Sequence, residues 1–413
     1  MARWPVAACS SARWHSCTKA YVGRDIERLR FSREPNAIGA CSLSIAAAAI
    51  KPNIRSQSAH NLSSLQAARC FACLLVVFHH TIRLFTANAP ADWTRPLLFD
   101  FPALYERLAV GVDIFFVISG FIMTYVAAPY IDGRKPLSDF LLKRALRIYP
   151  SYLLVTVALV IPLVAVYVIT GHLSFDLSWE RLFTSATLIP DFNKLGQVQP
   201  ILGVGWTLSF EVYFYIVFAA SIALFRGRFL VPMALVIVSI IALSRLLDLP
   251  GAVSQFLQNS IAIEFIFGCI IARYFVSGSI IFHKSLLILI CLLGFSLFIF
   301  ESASDDNRFI VWGAPSALFV GGMISFEFNK VIRWSAPIVF LGDASYSIYL
   351  VHVPFIYFGC TKLIELLGIH KYSPSFISVA IVFVFSGAVI FGLLFYYFVE
   401  RTINLKIKSQ MNR

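Results

Sequence analysis

The sequence predicts an all-α fold, a polytopic transmembrane helical bundle of about ten spans with both termini cytoplasmic. Three observations carry this. Of 413 residues, 59% are hydrophobic and only 14% are charged, whereas soluble domains carry roughly one quarter charged residues. The apolar residues fall in blocks of about 18–25, each long enough to cross a hydrocarbon core of roughly 30 Å. The loops between the blocks alternate between basic and acidic, as the positive-inside rule requires of a multi-pass chain.

Residues 1–60 differ from the rest. They are rich in Arg, Ser and Ala, and "AIGACSLSIAAAAI" (Ala37–Ile50) is too short to span. This stretch is expected to be a poorly structured or mis-annotated N-terminal extension. Residues 61–405 are expected to form the membrane domain, and 406–413 a basic cytoplasmic tail.

The hydrophobic blocks lie at about 65–86, 108–128, 151–171, 206–225, 229–247, 256–276, 285–300, 309–326, 338–361 and 375–398. Starting from a cytoplasmic N-terminus, the second loop holds Arg134, Lys135, Lys143, Arg144 and Arg147 against Asp132 and Asp139. The fourth holds Arg226 and Arg228, the sixth Arg273 and Lys284, and the eighth Lys330 and Arg333 against Glu327. The tail holds Arg401, Lys406, Lys408 and Arg413 against Glu400. Acids outnumber bases in the first, third and seventh loops, as in "ESASDDNR". The net charge of +12 therefore reads as cytoplasmic loops facing membrane lipids, not as a nucleic-acid surface. Cys70 and Cys73 form a lone CxxC inside an apolar helix. They read as small apolar residues, and no metal site is expected.

The first span, "RCFACLLVVFHHTIRLF", carries Arg69, His79 and His80. At about 100° and 1.5 Å per residue, Arg69 and His80 fall ~20° from a common face and about 16 Å apart. Arg69 and His79 are separated by ~80°. A face with ionisable groups at both ends suits a water-accessible cavity better than lipid. Asp113 in "GVDIFFVISGF" and Glu211 in "GWTLSFEVYFY" enter their spans from the outer side, at a depth similar to that of His80. Either carboxylate beside His80 would suit a general base. The bland alternatives are a helix-start residue for Asp113 and a structural hydrogen bond for Glu211. Arg144 and Arg147 share a helix face on the cytoplasmic side, with Pro150 expected to break the chain before the third span. Such a pair suits an anionic lipid or a polyphosphate ligand. "FLGDASYSIYLVHVPF" adds Tyr346 and His352, and Glu264 is a further intramembrane acid with no assigned role.

These segments resemble, in order, the motifs of the acyltransferase-3 family of bacterial membrane acyltransferases. Arg69 and His80 match its first-helix arginine, ten residues, histidine pattern. "GVDIFFVISGF" resembles its second-helix motif. Arg144 and Arg147 match its RxxR, Trp206 and Glu211 its W-S/T-L-x-x-E motif, and "LGDASYSIYLVH" its late helix motif. The details are most similar to the subgroup that O-acetylates exopolysaccharide. The resemblance implies an O-acetyltransferase of the bacterial inner membrane. It implies acetyl-CoA as co-substrate with no bound cofactor, a glycan or lipid-linked sugar acceptor, and work alongside a polysaccharide biosynthesis complex. It implies His80, Glu211 and Asp113 in catalysis. It implies Arg69, Arg144, Arg147, Trp206, Tyr346 and His352 in substrate binding. A proton-coupled transporter or a polysaccharide-precursor flippase is the alternative, because carriers also use intramembrane His, Asp and Glu.

Overall fold

The computed structural model describes residues 62–87, 106–171, 176–278, 286, 288–294, 306–361, 366, 368 and 373–411. The extension expected over 1–60 lies outside them. Among the described residues eight helices are long and apolar enough to cross a membrane, or nine if one bent pair is a single span. The chain is a multi-pass helical membrane protein. Of the seventh expected span, 285–300, only helical residues 286 and 288–294 are described.

Helix α1 (Ser63–Ala87) begins where a carboxylate from elsewhere meets its open amides. Glu327 accepts from the Ser63 hydroxyl at 2.9 Å and from the Ser64 amide at 2.7 Å. A helix start has unpaired N–H groups, so this contact fixes where α1 begins. Helix α2 (Gly111–Val126) follows a 3₁₀ turn and is mostly buried. Helix α3 (Leu137–Thr170) is 34 residues long, about 51 Å at 1.5 Å per residue. It runs unbroken through Pro150, contrary to the expected break, so Lys143, Arg144 and Arg147 belong to the third span itself. A proline deletes one backbone bond, and a helix packed among neighbours tolerates that loss. The carbonyl that Pro150 leaves without an amide is that of Leu146; Tyr346 donates nearby, to the Ile148 carbonyl at 2.8 Å.

After the short helix α4 (Trp179–Thr187), the chain re-enters the bundle as α5 (Trp206–Phe225) and α6 (Leu230–Leu247). A surface turn, α7 (Ala252–Gln258), precedes α8 (Ile263–Ser277) and α9 (Ala314–Phe328). The expected ninth span is two helices, α10 (Ala336–Asp343) and α11 (Ser345–Pro354), bent by 62° at Ala344. Helix α12 (Pro374–Phe395) continues through a π turn into α13 (Arg401–Met411), so the residues from 401 to 411 extend the last span as helix.

The closest packing joins α2 to α8. A Cβ on Gly120 would lie 2.0 Å from the Phe265 carbonyl, and one on Gly268 would lie 2.0 Å from that of Val117. Only glycine lets the two backbones touch. In a bilayer, where lipid tails remove the hydrophobic drive between helices, such contact is a main source of cohesion. Helices α3 and α6 lie at the periphery and turn residues such as Val168, Ile169 and Leu246 outward, as a lipid-facing surface requires.

Candidate active site

Five helices converge on one cavity. Helix α1 contributes Arg69, α2 Ser119, α3 Arg147, α5 Thr207 and Glu211, and α11 Ser345, Tyr346 and Tyr349. The structure therefore brings together four of the sequence-predicted residues: Arg69, Arg147, Glu211 and Tyr346. The bend at Ala344 makes this possible, because it turns the first residues of α11 onto the cavity. Ser345 is fully buried there, and its hydroxyl has no partner among the described residues.

The polar groups of the cavity are only partly engaged. Arg69 is buried and donates to Gln66 at 3.2 Å. Arg147 makes no hydrogen bond or ion pair to any described residue, although Glu211 and Glu400 lie within electrostatic reach. Glu211 accepts from Ser119 at 3.1 Å and from Tyr215. Glu400 accepts from Ser347. Two guanidinium groups thus line the cavity beside one carboxylate, an arrangement suited to an anionic ligand. Arg144 does not line the cavity. Its guanidinium lies over the Phe140 ring at 5.8 Å, and its Nε is buried without a partner.

At its far end the cavity meets Tyr349. The Tyr349 hydroxyl bonds with Thr207 Oγ1 at 2.9 Å and donates to the Val204 carbonyl at 3.1 Å. Its ring packs on that of His352, with centroids 5.7 Å apart. The His352 ring lies 5.1 Å from that of His80, and His80 lies 5.1 Å from His79. His352 is fully buried. Its Nδ1 faces two backbone carbonyls, Tyr349 O at 2.7 Å and Ile348 O at 3.2 Å. Carbonyls only accept, so Nδ1 carries the proton and Nε2 is a bare lone pair. That nitrogen is buried and has no partner among the described residues.

The expected neighbours of His80 are elsewhere. Asp113 is fully buried and takes two bonds from Arg308, both 2.8 Å. Glu211 is held by Ser119 and Tyr215. The ring that touches His80 across the helix interface is another imidazole. The common face of Arg69 and His80 survives in a modified form: Arg69 opens on the cavity, and His80 reaches α11 one turn beyond Tyr349. Sequence reasoning missed Tyr349, Thr207 and Ser119. It also treated Arg308 and Glu400 as loop and tail charges. The signal for Glu400 was present, since it continues the apolar helix "FYYFVE".

Trp206 lies apart from the cavity, on a pocket at the end of the bundle opposite the basic loops. Cys73 points its sulfur to the Ser345 carbonyl at 3.5 Å. Among the described residues there is no cluster of His, Cys, Asp and Glu able to hold a metal ion.

Comparison with known proteins adds the following. The sequence profile described as an acyltransferase domain matches residues 62–397. The chain is 33% identical over 249 residues to the exopolysaccharide production protein ExoZ of Rhizobium meliloti (strain 1021), covering 59% of this chain and 75% of that one. It is 29% identical over 192 residues to nodulation protein 10 of Rhizobium leguminosarum bv. viciae, covering 42% of this chain and 48% of that one. No solved structure matches the chain.

Proposed function

The chain belongs to the acyltransferase-3 family, and from that premise we propose that it O-acylates an exopolysaccharide or its lipid-linked precursor in the bacterial inner membrane. Membership favours an enzyme over a transporter. The donor in this reading is cytoplasmic acetyl-CoA or another small acyl-CoA, used as a co-substrate. The similarity to an exopolysaccharide production protein supports the acceptor class.

One observation carries the reading. Arg69 and Arg147 line a cavity that ends at Tyr349, one helical turn from the His352–His80 pair. In this reading the arginine end faces the cytoplasm, which the basic loops on that side support. A CoA thioester is polyanionic and meets two guanidinium groups there. Tyr346 and the open Ser345 hydroxyl complete the polar wall.

A sugar hydroxyl is a weak nucleophile at neutral pH and needs a base. In this reading His80 takes the hydroxyl proton while the sugar oxygen attacks the thioester carbonyl. A C–O bond forms, the C–S bond breaks, and CoA leaves as a thiolate. His80 then returns the proton, giving free CoA thiol and the O-acyl sugar. The ring beside His80 is that of His352, 5.1 Å away between centroids. In this reading His80 turns an N–H toward the bare Nε2 of His352 when substrate is bound, which leaves the other His80 nitrogen as the base. Asp113 and Glu211 take no proton in this scheme.

The test uses the full chain in lipid bilayers with acetyl-CoA and a lipid-linked glycan, following free thiol. His80→Ala is expected to lower turnover about 10²–10⁴-fold, the usual worth of general-base catalysis. His79→Ala is expected to retain activity. Thiol release by His80→Ala at the wild-type rate would remove the base assignment, and no release by wild type with any glycan would remove the whole reading.

A further inference from the structure

The pocket that holds Trp206 has chemistry the mechanism above does not use. It is an open pocket at the end of the bundle opposite the basic loops. Its polar lining includes Gln199, Ser209 and Gln255, set beside Trp206. The side-chain amides of Gln199 and Gln255, the Ser209 hydroxyl and the Trp206 indole N–H make no hydrogen bond to any described residue. These are donors and acceptors on a concave wall, with Ser209 buried, Gln199 and Trp206 half-buried and Gln255 exposed, so they are open to a ligand entering from outside.

The charged groups beside them are engaged. Asp191 accepts from Arg181 at 3.2 Å and from Thr184 at 2.8 Å. Arg308, which also reaches this pocket, donates twice to Asp113. The free capacity is therefore neutral: amides, a hydroxyl, an indole N–H and an aromatic surface. A ligand dense in hydroxyls, each both donor and acceptor, matches it, and a fixed anion gains no open guanidinium.

The pocket also adjoins the reaction path. The first turn of α5 shows Trp206 and Ser209 to the pocket but Thr207 and Leu208 to the inner cavity. Phe116 lines the inner cavity and packs on Trp206 with centroids 6.4 Å apart. One aromatic wall separates the two spaces, and Thr207 on its inner side holds the Tyr349 hydroxyl.

We propose that this pocket is the acceptor subsite and that it binds an uncharged sugar residue through Gln199, Ser209, Gln255 and Trp206. The role in transfer rests on the glycan acyltransferase reading, whereas sugar binding does not need turnover.

The experiment therefore measures both. Binding of neutral glucose and galactose tetrasaccharides to the full chain in lipid bilayers is followed by tryptophan fluorescence. A galacturonate tetrasaccharide serves as the charged control. Neutral sugars are expected to quench, with at least tenfold weaker binding in Gln255→Ala and Ser209→Val. Gln255 is exposed, so its truncation leaves the fold intact. In the transfer assay the same variants are expected to raise the acceptor KM at least tenfold and leave the acetyl-CoA KM unchanged. No quenching by either neutral sugar would overturn the inference, as would wild-type affinity in both variants or tighter binding of the galacturonate. If wild type binds the neutral sugars and both variants lose them, yet no thiol is released, the subsite stands and the acyltransferase reading fails.

Discussion

Two clusters of charged residues lie within the bundle, and they are built in opposite ways. Around Arg69 and Arg147, guanidinium groups border a cavity, and Arg147 has no bonded partner among the described residues. At Asp113 and Arg308 both carboxylate oxygens are bonded at 2.8 Å, and the guanidinium also lies 5.0 Å from the Trp312 ring. Glu264 packs beside Gly313 in the same region, with both carboxyl oxygens buried and without a hydrogen-bond partner among the described residues, so the closure is that of the Asp113–Arg308 pair. The residue types are alike and both clusters are costly in a membrane. What distinguishes them is closure. A charge pair whose mutual bonds are complete, as Asp113 and Arg308 are, holds helices together, and a guanidinium that faces a cavity with open bonds is available to a ligand.

This contrast can be broken in several places. The largest effect on stability is expected at the closed cluster. Asp113→Asn or Arg308→Ala strands a buried charge and should cost about 3–5 kcal/mol. Thermal unfolding in detergent should show it, while the double change Asp113→Leu with Arg308→Met recovers most of the loss. Next comes the α2–α8 contact. Gly268→Ala places a Cβ against the Val117 carbonyl, which forces the backbones apart at about 1–3 kcal/mol, the usual range for overpacking. Gly321→Ala, with its nearest neighbour at 3.9 Å, should be neutral in the same assay. The smallest effect is Tyr349→Phe. It removes the hydroxyl that ties α11 to Val204 and Thr207 and should lower stability by about 1 kcal/mol. Equal destabilisation by Gly321→Ala and Gly268→Ala would show that the glycine contact is not what joins the helices.

Much of the site was legible because helical periodicity is local. The placing of Arg69 and His80 on one face followed from eleven residues of spacing, and the order of the motifs marked Arg147, Glu211 and Tyr346. Partners across helices were not legible. Depth along a span put Asp113 and Glu211 at the level of His80, but depth says nothing about rotation, and rotation gave Asp113 to Arg308 and Glu211 to Ser119 and Tyr215. Pro150 misled for a related reason. Its local rule predicts a break, and α3 runs through it as one continuous helix. The bend at Ala344 was hidden in a run that looked like one span. It is also what brings Ser345 and Tyr346 to the cavity.

The most direct test compares the two clusters in one assay. Acetyl-CoA-dependent thiol release is measured against donor concentration for Arg147→Ala and Arg308→Ala, each normalised to folded protein. Losing a hydrogen bond to a charged group costs about 1.5–3 kcal/mol. Arg147→Ala should therefore raise the acetyl-CoA KM at least tenfold with thermal stability kept, and Arg308→Ala should lose stability with the KM unchanged. A normal donor KM in Arg147→Ala, or a raised one in Arg308→Ala alone, would contradict the assignment of the open cluster to the acyl donor.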